Sequence, residues 1–382
     1  MIAEIIPKVM EMIQRKNETY RPRCSNLGTE KCIRAQVYSA LKYPYTPIPG
    51  RGIEVMDDSS WHEELTIDRL EKSAFKIHSR QLGVDAIDLK CVLLDKEYHC
   101  KICNKTIPKY TIHGHIDGIL QDMQGDDYLF EHKAVSHFSF IAYETGDLYP
   151  IDYITQCTAY ILGLKKLTGK LLPGIMVVKN KNTSKYMEFR IEYDEQEDIA
   201  KVNIFRLDYT KNNEGILKEV KEVFLGDIIK NAITRVMDIE NYVIKKTLPV
   251  RQYDVDTWQC DYCRYNQECY KNYEKEIDNR KNEISVNNLE IVKMAAEYHD
   301  LNDIKKENEK KVDEIKTKLK LWMQEQNAKT GKAGKLIIKL DKRIKKSLDK
   351  ALLPVELVNS ATKRTPFEVL TVKKLGEVSD DK

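Results

Sequence analysis

The chain has 382 residues, 42% of them hydrophobic and 32% charged, enough for one large core and an appendage. Its formal charge of +3 excludes overall charge as a source of nucleic-acid affinity and leaves any such task to a local basic groove. No apolar run approaches the roughly 18 residues that span a bilayer, and nine cysteines with no charged-then-apolar leader argue against a disulfide framework, so a reducing, cytoplasmic setting is expected.

In chain order, residues 2–16 read as a short amphipathic helix, broken by Arg21-Pro22-Arg23-Cys24-Ser25. The segment from Cys32 to about Leu41 is helical, and Pro44, Pro47, Pro49 and Gly50 then make a loop. Residues 61–73 form a helix with an apolar stripe of Trp61, Leu65 and Leu70. Strands are expected at 84–94, 113–120 and 128–134, a helix at 153–164, and strands again at 174–179 and 186–193. Helices over 195–246 lead to Pro249 and a cysteine-rich segment. From Tyr273 onward, lysine and glutamate dominate, with Leu289, Val292 and Ala296 on one helix and Val312, Ile315, Leu319 and Trp322 on another, a helical hairpin. Strands at 335–340 and 367–373, flanking a short helix near Ser347, close the chain.

Two short runs carry the chemistry: His113-Gly114-His115-Ile116-Asp117-Gly118-Ile119 and Leu129-Phe130-Glu131-His132-Lys133-Ala134. The turn-rich Gln124-Gly125-Asp126-Asp127 between them makes the two a hairpin that brings Asp117 and Glu131 together. Paired carboxylates beside a lysine suit a divalent cation; hard oxygen ligands select Mg²⁺ or Mn²⁺, which activates water, while Lys133 can orient that water. That is the chemistry of phosphodiester hydrolysis.

The order Asp117, then Glu131-x-Lys133, resembles the PD-(D/E)XK nuclease superfamily. Trp61-His62-Glu63-Glu64-Leu65 upstream is similar to the histidine motif of its RecB-like branch, and Gln156-Cys157-Thr158-Ala159-Tyr160 downstream to the Q-x-x-x-Y motif. The resemblance implies a restriction-endonuclease-like α/β core, a mixed sheet flanked by helices. It also implies a metal held by His62, Asp117, Glu131 and the backbone carbonyl of His132. Lys133 would be the catalytic lysine, and Gln156 and Tyr160, one helical turn apart, would face the site or the DNA.

Cys260-x2-Cys263-x5-Cys269 forms a second pattern, with Cys32 as the expected fourth thiolate and Cys24 as its substitute. Four thiolates suit an iron–sulfur cluster or a structural zinc. An early Cys followed two residues later by Arg34, a nuclease core and then this trio resembles the AddB nuclease domain and the iron–sulfur exonucleases of CRISPR adaptation, which implies a structural [4Fe-4S] cluster stapling the chain ends. A third group, Cys100-Lys101-Ile102-Cys103 with Cys91 and His99 close by, is a candidate zinc site, and Asn104-Lys105 resembles a zinc-knuckle turn.

The expected organisation is an N-terminal helical segment (1–60), a nuclease core (61–250), the cysteine segment (251–272), a helical hairpin (273–330) and a small α+β tail (331–382) whose pattern is loosely similar to YqaJ-type phage recombination exonucleases. The expected activity is metal-dependent DNA cleavage, acting as an exonuclease on duplex ends or single strands in recombination, repair or CRISPR-type adaptation and leaving a 5′-phosphate. A recombination or single-strand-annealing protein is a candidate partner. The alternative is a catalytically silent DNA-binding scaffold of a recombination or replication complex. Lysines at 329, 332, 335, 339, 342, 345, 346 and 350 with Arg343 make either a solvated face or a DNA-backbone contact.

Overall fold

The computed structural model describes residues 2–13, 20–209, 215–255, 257–273, 289–333 and 336–340. The chain divides into two compact units, Met1–Lys271 and Asn272–Lys382. The first unit runs α1 (Ile2–Ile13), α2 (Ile33–Ala40), α3 (Gly50–Glu71), β1 (Lys76–His78), β2 (Gly83–Asp88), β3 (Tyr98–Cys100), β4 (Lys105–Ile107), β5 (Thr111–His115), β6 (Gly118–Gln121) and β7 (Asp127–Val135). It continues through α4 (His137–Thr145), α5 (Ile151–Thr168), β8 (Gly174–Asn180), β9 (Tyr186–Asp194), β10 (Ile199–Tyr209), β11 (Gly215–Gly226), α6 (Ile228–Lys245) and the short α7 (Trp258–Asp261) and α8 (Asn266–Tyr270).

Seven strands form one mixed sheet in the order β1-β6-β7-β8-β9-β10-β11. Only β7 and β8 pair in parallel, joined by a crossover through α4 and α5, and every other neighbour is antiparallel. Side chains alternate across this sheet with period 2. Leu129, Met176 and Val178 point into the large core shared with Ile154, Ala159, Ile161 and Leu164 of α5. Phe130, with Ile175 and Val177, points the other way, into a smaller core with Ile67 and Leu70 of α3. The sheet is therefore covered on both faces around β7 and β8, and β7 is buried on both.

The mixed α/β class agrees with the sequence, but several elements differ. Residues 195–246 are not all helical: β10 and β11 occupy most of the stretch and only α6 follows. The alternation of Ala200, Val202 and Ile204 inward with Lys201 and Asn203 outward is a strand signal that the charge density obscured. The cross-strand Lys201–Glu222 pair at 2.9 Å and the hydrogen bonds from Asn203 Nδ2 to Glu219 and Glu222 show where those charges go. The 113–120 strand is two strands, β5 and β6, because β5 pairs with β2 in a separate small sheet while β6 joins the large one. The chain must turn between them at Ile116-Asp117. The 84–94 strand likewise ends at Asp88, and a 3₁₀ turn takes Val92–Leu94. The helix carrying His62 begins at Gly50, not at residue 61.

Among the described residues of the second unit, one helix, α9 (Leu289–Glu325), carries both apolar groups that were expected on the two arms of a hairpin. No glycine or proline interrupts residues 289–325, so nothing in the backbone chemistry forces the turn that a hairpin requires. Thr330–Ala333 (β12) and Leu336–Lys339 (β13) then pair antiparallel. The expected helix near Ser347, the strand at 367–373 and most of the tail lysines lie outside the described residues. Among the described residues no helix is long and apolar enough to cross a membrane.

Candidate active site and cysteine pocket

The interior strand β7 places three polar residues in succession on alternate faces. Glu131, 1% exposed, points toward α5. There the Gln156 Nε2 donates to Glu131 Oε1 at 3.1 Å and to the Tyr160 hydroxyl at 3.0 Å. Lys133 Nζ reaches the same Oε1 at 2.5 Å and lies 5.1 Å above the Tyr153 ring. The other carboxylate oxygen, Glu131 Oε2, is buried with no hydrogen-bond partner. Asp117 arrives from the turn between β5 and β6, where its Oδ2 accepts the His132 backbone N–H at 2.8 Å. The Gly118–Phe130 register pair sets that turn one step from Glu131. At Gly114, just upstream, a Cβ would stand 2.5 Å from the Tyr160 ring and 3.0 Å from Cys24 Sγ, so glycine is what lets β5 pass close under α5.

Charge is crowded at this point. Burial, and then the charge of Asp117, push the Glu131 carboxyl up to about 8 although Lys133 opposes them. Burial also raises Asp117, against the pull of Lys133 and the His132 N–H. Burial works against the Lys133 charge, but Glu131 and Asp117 outweigh it and hold the ammonium protonated. A third acid joins them: Glu63 of α3 is pushed up to about 7 by burial and next by Asp117. Three acids thus act on one ammonium, and one buried carboxylate oxygen among them, Glu131 Oε2, has no hydrogen-bond partner.

The structure brings together Asp117, Glu131, Lys133, Gln156 and Tyr160. His62 stands one residue before Glu63 on α3, and its pKa is lowered by burial first and then by Lys179 and Lys181. The residue of that helix whose charge bears on Asp117 and Glu131 is Glu63. Sequence reasoning quoted Glu63 inside the histidine motif but assigned it nothing; the i, i+1 offset between the two faces of a helix could have raised it. The His132 ring, on the opposite side of β7 from Glu131, lies buried with Nε2 3.1 Å from Thr66 Oγ1 of α3, and burial followed by Lys133 and Lys179 pushes it down to about 3.

The four expected cluster cysteines meet in one pocket. Cys32, Cys260, Cys263 and Cys269, all free thiols, line it together with Arg34, Tyr38, Arg251 and Tyr270. Burial raises the Cys32 and Cys263 thiols, Cys263 to about 11, and behind burial Cys32 feels Cys269 and Cys260 while Cys263 feels Cys32, Cys260 and Cys269. Cys24 is elsewhere, fully buried in the large core. The walls are tied across the chain. Ile33 N–H donates to Gln252 Oε1 at 2.6 Å, Tyr253 OH to the Glu30 carbonyl at 2.6 Å, Thr46 N–H to the Arg264 carbonyl at 2.8 Å, and Arg34 to the Pro249 carbonyl. Tyr38 stacks on Tyr265 at 5.5 Å. Four free thiols from residues 32 and 260–269 thus line one pocket, with Arg34 and Arg251 in its wall donating to the Pro249 and Cys269 carbonyls.

A third convergence is tighter. Cys100, Cys103, His113 and His115 bring one ligand atom each to within 4.8 Å of one another, a group that can hold a metal ion. The neighbours suggested by sequence do not take part: His99 is hydrogen-bonded to Asn104 Oδ1 at 3.0 Å, and Cys91 is buried at the head of the 3₁₀ turn. The two histidines were overlooked, although residues i and i+2 of a strand share a face. No protein-family model matches the chain, and no curated protein matches its sequence.

Proposed function

We propose that the chain is a Mg²⁺- or Mn²⁺-dependent DNA nuclease, an exonuclease processing duplex ends or single strands, with a structural [4Fe-4S] cluster at Cys32, Cys260, Cys263 and Cys269. The observation that carries the reading is the buried, unpartnered Glu131 Oε2 beside Asp117 and Lys133. Glu131 and Asp117 would hold the cation, with Glu63 in reach of the same charge. A cation bound there supplies Lewis acidity and an acidified water. Lys133 keeps its proton through the two carboxylates and is suited to orient that water and to meet developing negative charge on a phosphate. Gln156 fixes the Glu131 carboxylate by donating to Oε1, which leaves Oε2 free for the cation. Tyr160 holds Gln156 in turn. The iron–sulfur group is structural in this reading, and DNA recombination or repair in the cytoplasm, with a single-strand-annealing partner, is the setting the sequence resemblance favours.

Purified protein with 5′- and 3′-labelled single- and double-stranded DNA and Mn²⁺ is expected to cleave. Asp117→Ala and Lys133→Ala are expected to lose about 100-fold or more of that activity while keeping the wild-type circular dichroism. Full activity in either folded variant would refute the assignment. One observation favours a second reading, a silent DNA-binding scaffold: the Lys133–Glu131 ion pair at 2.5 Å already balances the site internally. Binding of labelled DNA without any cleavage in Mg²⁺ or Mn²⁺ would select it.

A further inference from the structure

The hairpin of β3 and β4 projects Cys100 from the end of a strand and Cys103 from the following turn. Asn104, next in that turn, adopts a left-handed backbone with φ 54° and is braced by His99, so the turn that presents Cys103 is set by local chemistry. Opposite stand His113 and His115, alternate residues on one face of β5. The approach is specific in its atoms. Cys100 Sγ lies 3.3 Å from His115 Nε2, and Cys103 Sγ lies 3.7 Å from His113 Nε2.

Tetrahedral zinc has Zn–S bonds near 2.3 Å and Zn–N bonds near 2.0–2.1 Å, which puts a sulfur and a nitrogen ligand about 3.5 Å apart. The two observed separations bracket that value. His113 offers a second sign: its Nδ1 lies 2.7 Å from Asp85 Oδ1, the carboxylate–imidazole pairing that puts the ring proton on Nδ1 and leaves the Nε2 lone pair for a metal. Gly83 supplies a third. A Cβ there would stand 2.9 Å from Cys103 Sγ and 2.9 Å from His113 Nε2, so the glycine of β2 clears the space in which these donors converge.

We infer that Cys100, Cys103, His113 and His115 form a structural zinc site that fastens the β3–β4 hairpin onto β5. Two thiolates and two imidazoles are the donors zinc prefers, whereas Mg²⁺ and Ca²⁺ require oxygen and a [4Fe-4S] cluster most often takes four thiolates. The site closes a short loop around residues 100–115 and ties it through Asp85 to β2. It also pins the end of β5 two residues before Asp117, so it fixes where the turn toward the acid cluster begins; this last consequence rests on the nuclease reading, while zinc occupancy does not.

Metal analysis of the full-length protein is expected to give one zinc per chain in addition to iron. Cys103→Ser and His113→Asn are expected to lose that zinc and keep the iron, and Cys263→Ser to lose iron and keep the zinc. Wild-type protein without zinc, or a folded Cys103→Ser protein with its zinc undiminished, would overturn the assignment. If the substituted chains do not fold, cobalt incorporated into the wild-type chain gives the second measurement. The intense visible bands of tetrahedral cobalt with thiolate charge transfer are expected, persisting in Cys263→Ser, and the weak spectrum of six-coordinate cobalt would overturn the inference. Hydrogen exchange separates the two halves of the inference: stripping zinc from a folded protein should deprotect amides of β2 and β5, and unchanged protection there would overturn the fastening role. Deprotection of β2 and β5 on zinc removal with DNA cleavage unchanged would keep the zinc assignment and overturn only the consequence drawn for the acid cluster.

Discussion

The acid cluster and the cysteine pocket are assembled in opposite ways. The acid cluster draws most of its residues from neighbouring elements, the β5–β6 turn, β7 and α5, within residues 117–160 and anchored in a hydrogen-bonded sheet, with Glu63 of α3 added from outside that interval. The cysteine pocket joins residues 32–38 to residues 251–270, and its C-terminal wall consists of helices of only four and five residues. Helices that short are unstable alone and need an external tie. A site of the first kind keeps its shape when its ligand is removed. One of the second kind owes much of its shape to the ligand that closes it.

The largest expected effect tests that contrast directly. If the proposed iron–sulfur group is held there, Cys263→Ala should bleach its visible absorption and lower the thermal midpoint by on the order of 10 °C or more, or render the chain insoluble. Asp117→Ala should leave the absorption untouched and shift the midpoint far less, by the loss of the one hydrogen bond from the His132 N–H, and differential scanning fluorimetry beside an absorbance spectrum reads the two. Equal midpoints in the two variants would remove the distinction. A smaller effect sharpens the acid side: Gln156→Ala leaves Glu131 Oε1 with Lys133 as its remaining partner and should cost about 1–3 kcal/mol in chemical denaturation, with the colour of the protein unchanged.

The smallest concerns pH. His132 is pushed down to about 3 in the folded state by burial, below the ordinary histidine value of 6.5. The unfolded chain therefore binds the proton first, and the neutral imidazole's contribution to stability is present above about 6.5 and is lost as pH falls toward 3. The wild type should lose up to about 1.4 kcal/mol per pH unit through this group over that window. His132→Gln should flatten that part of the profile in acid denaturation, and an unchanged slope would show that other groups set it.

Much of the acid site was legible because its residues lie on regular elements. The Asp122–Asp126 turn, in which Asp122 Oδ1 accepts the N–H groups of Gln124 and Asp126 at 2.9 Å each, made the β6–β7 hairpin readable, and helical spacing made Gln156 and Tyr160 readable. Cysteine spacing brought Cys32 and the C-terminal trio to one pocket on paper as in space. What escaped had a physical cause. Glu63 lies one position from His62, and only the packing of α3 on the sheet decides which of two adjacent side chains turns toward Asp117. His113 and His115 were seen as the flank of Asp117, but that β5 leaves the large sheet to face the Cys100–Cys103 hairpin is a tertiary fact. Strands β10 and β11 were hidden by exposed lysines and glutamates that serve the outer strands of the sheet, where charge discourages pairing with another chain.

Alternation along β7 has one last consequence. Because consecutive residues of that strand serve different layers of the protein, deleting a single residue between Leu129 and Lys133 would trade a carboxylate for an imidazole in the layer beneath α5 and bury the acid against α3. The loop at Asp122–Asp126 has no such constraint, since it is solvent-facing and lies beyond the paired residues. A change of length at that tip is therefore expected to be tolerated, whereas the spacing from Phe130 to Lys133 is set by the two layers it serves.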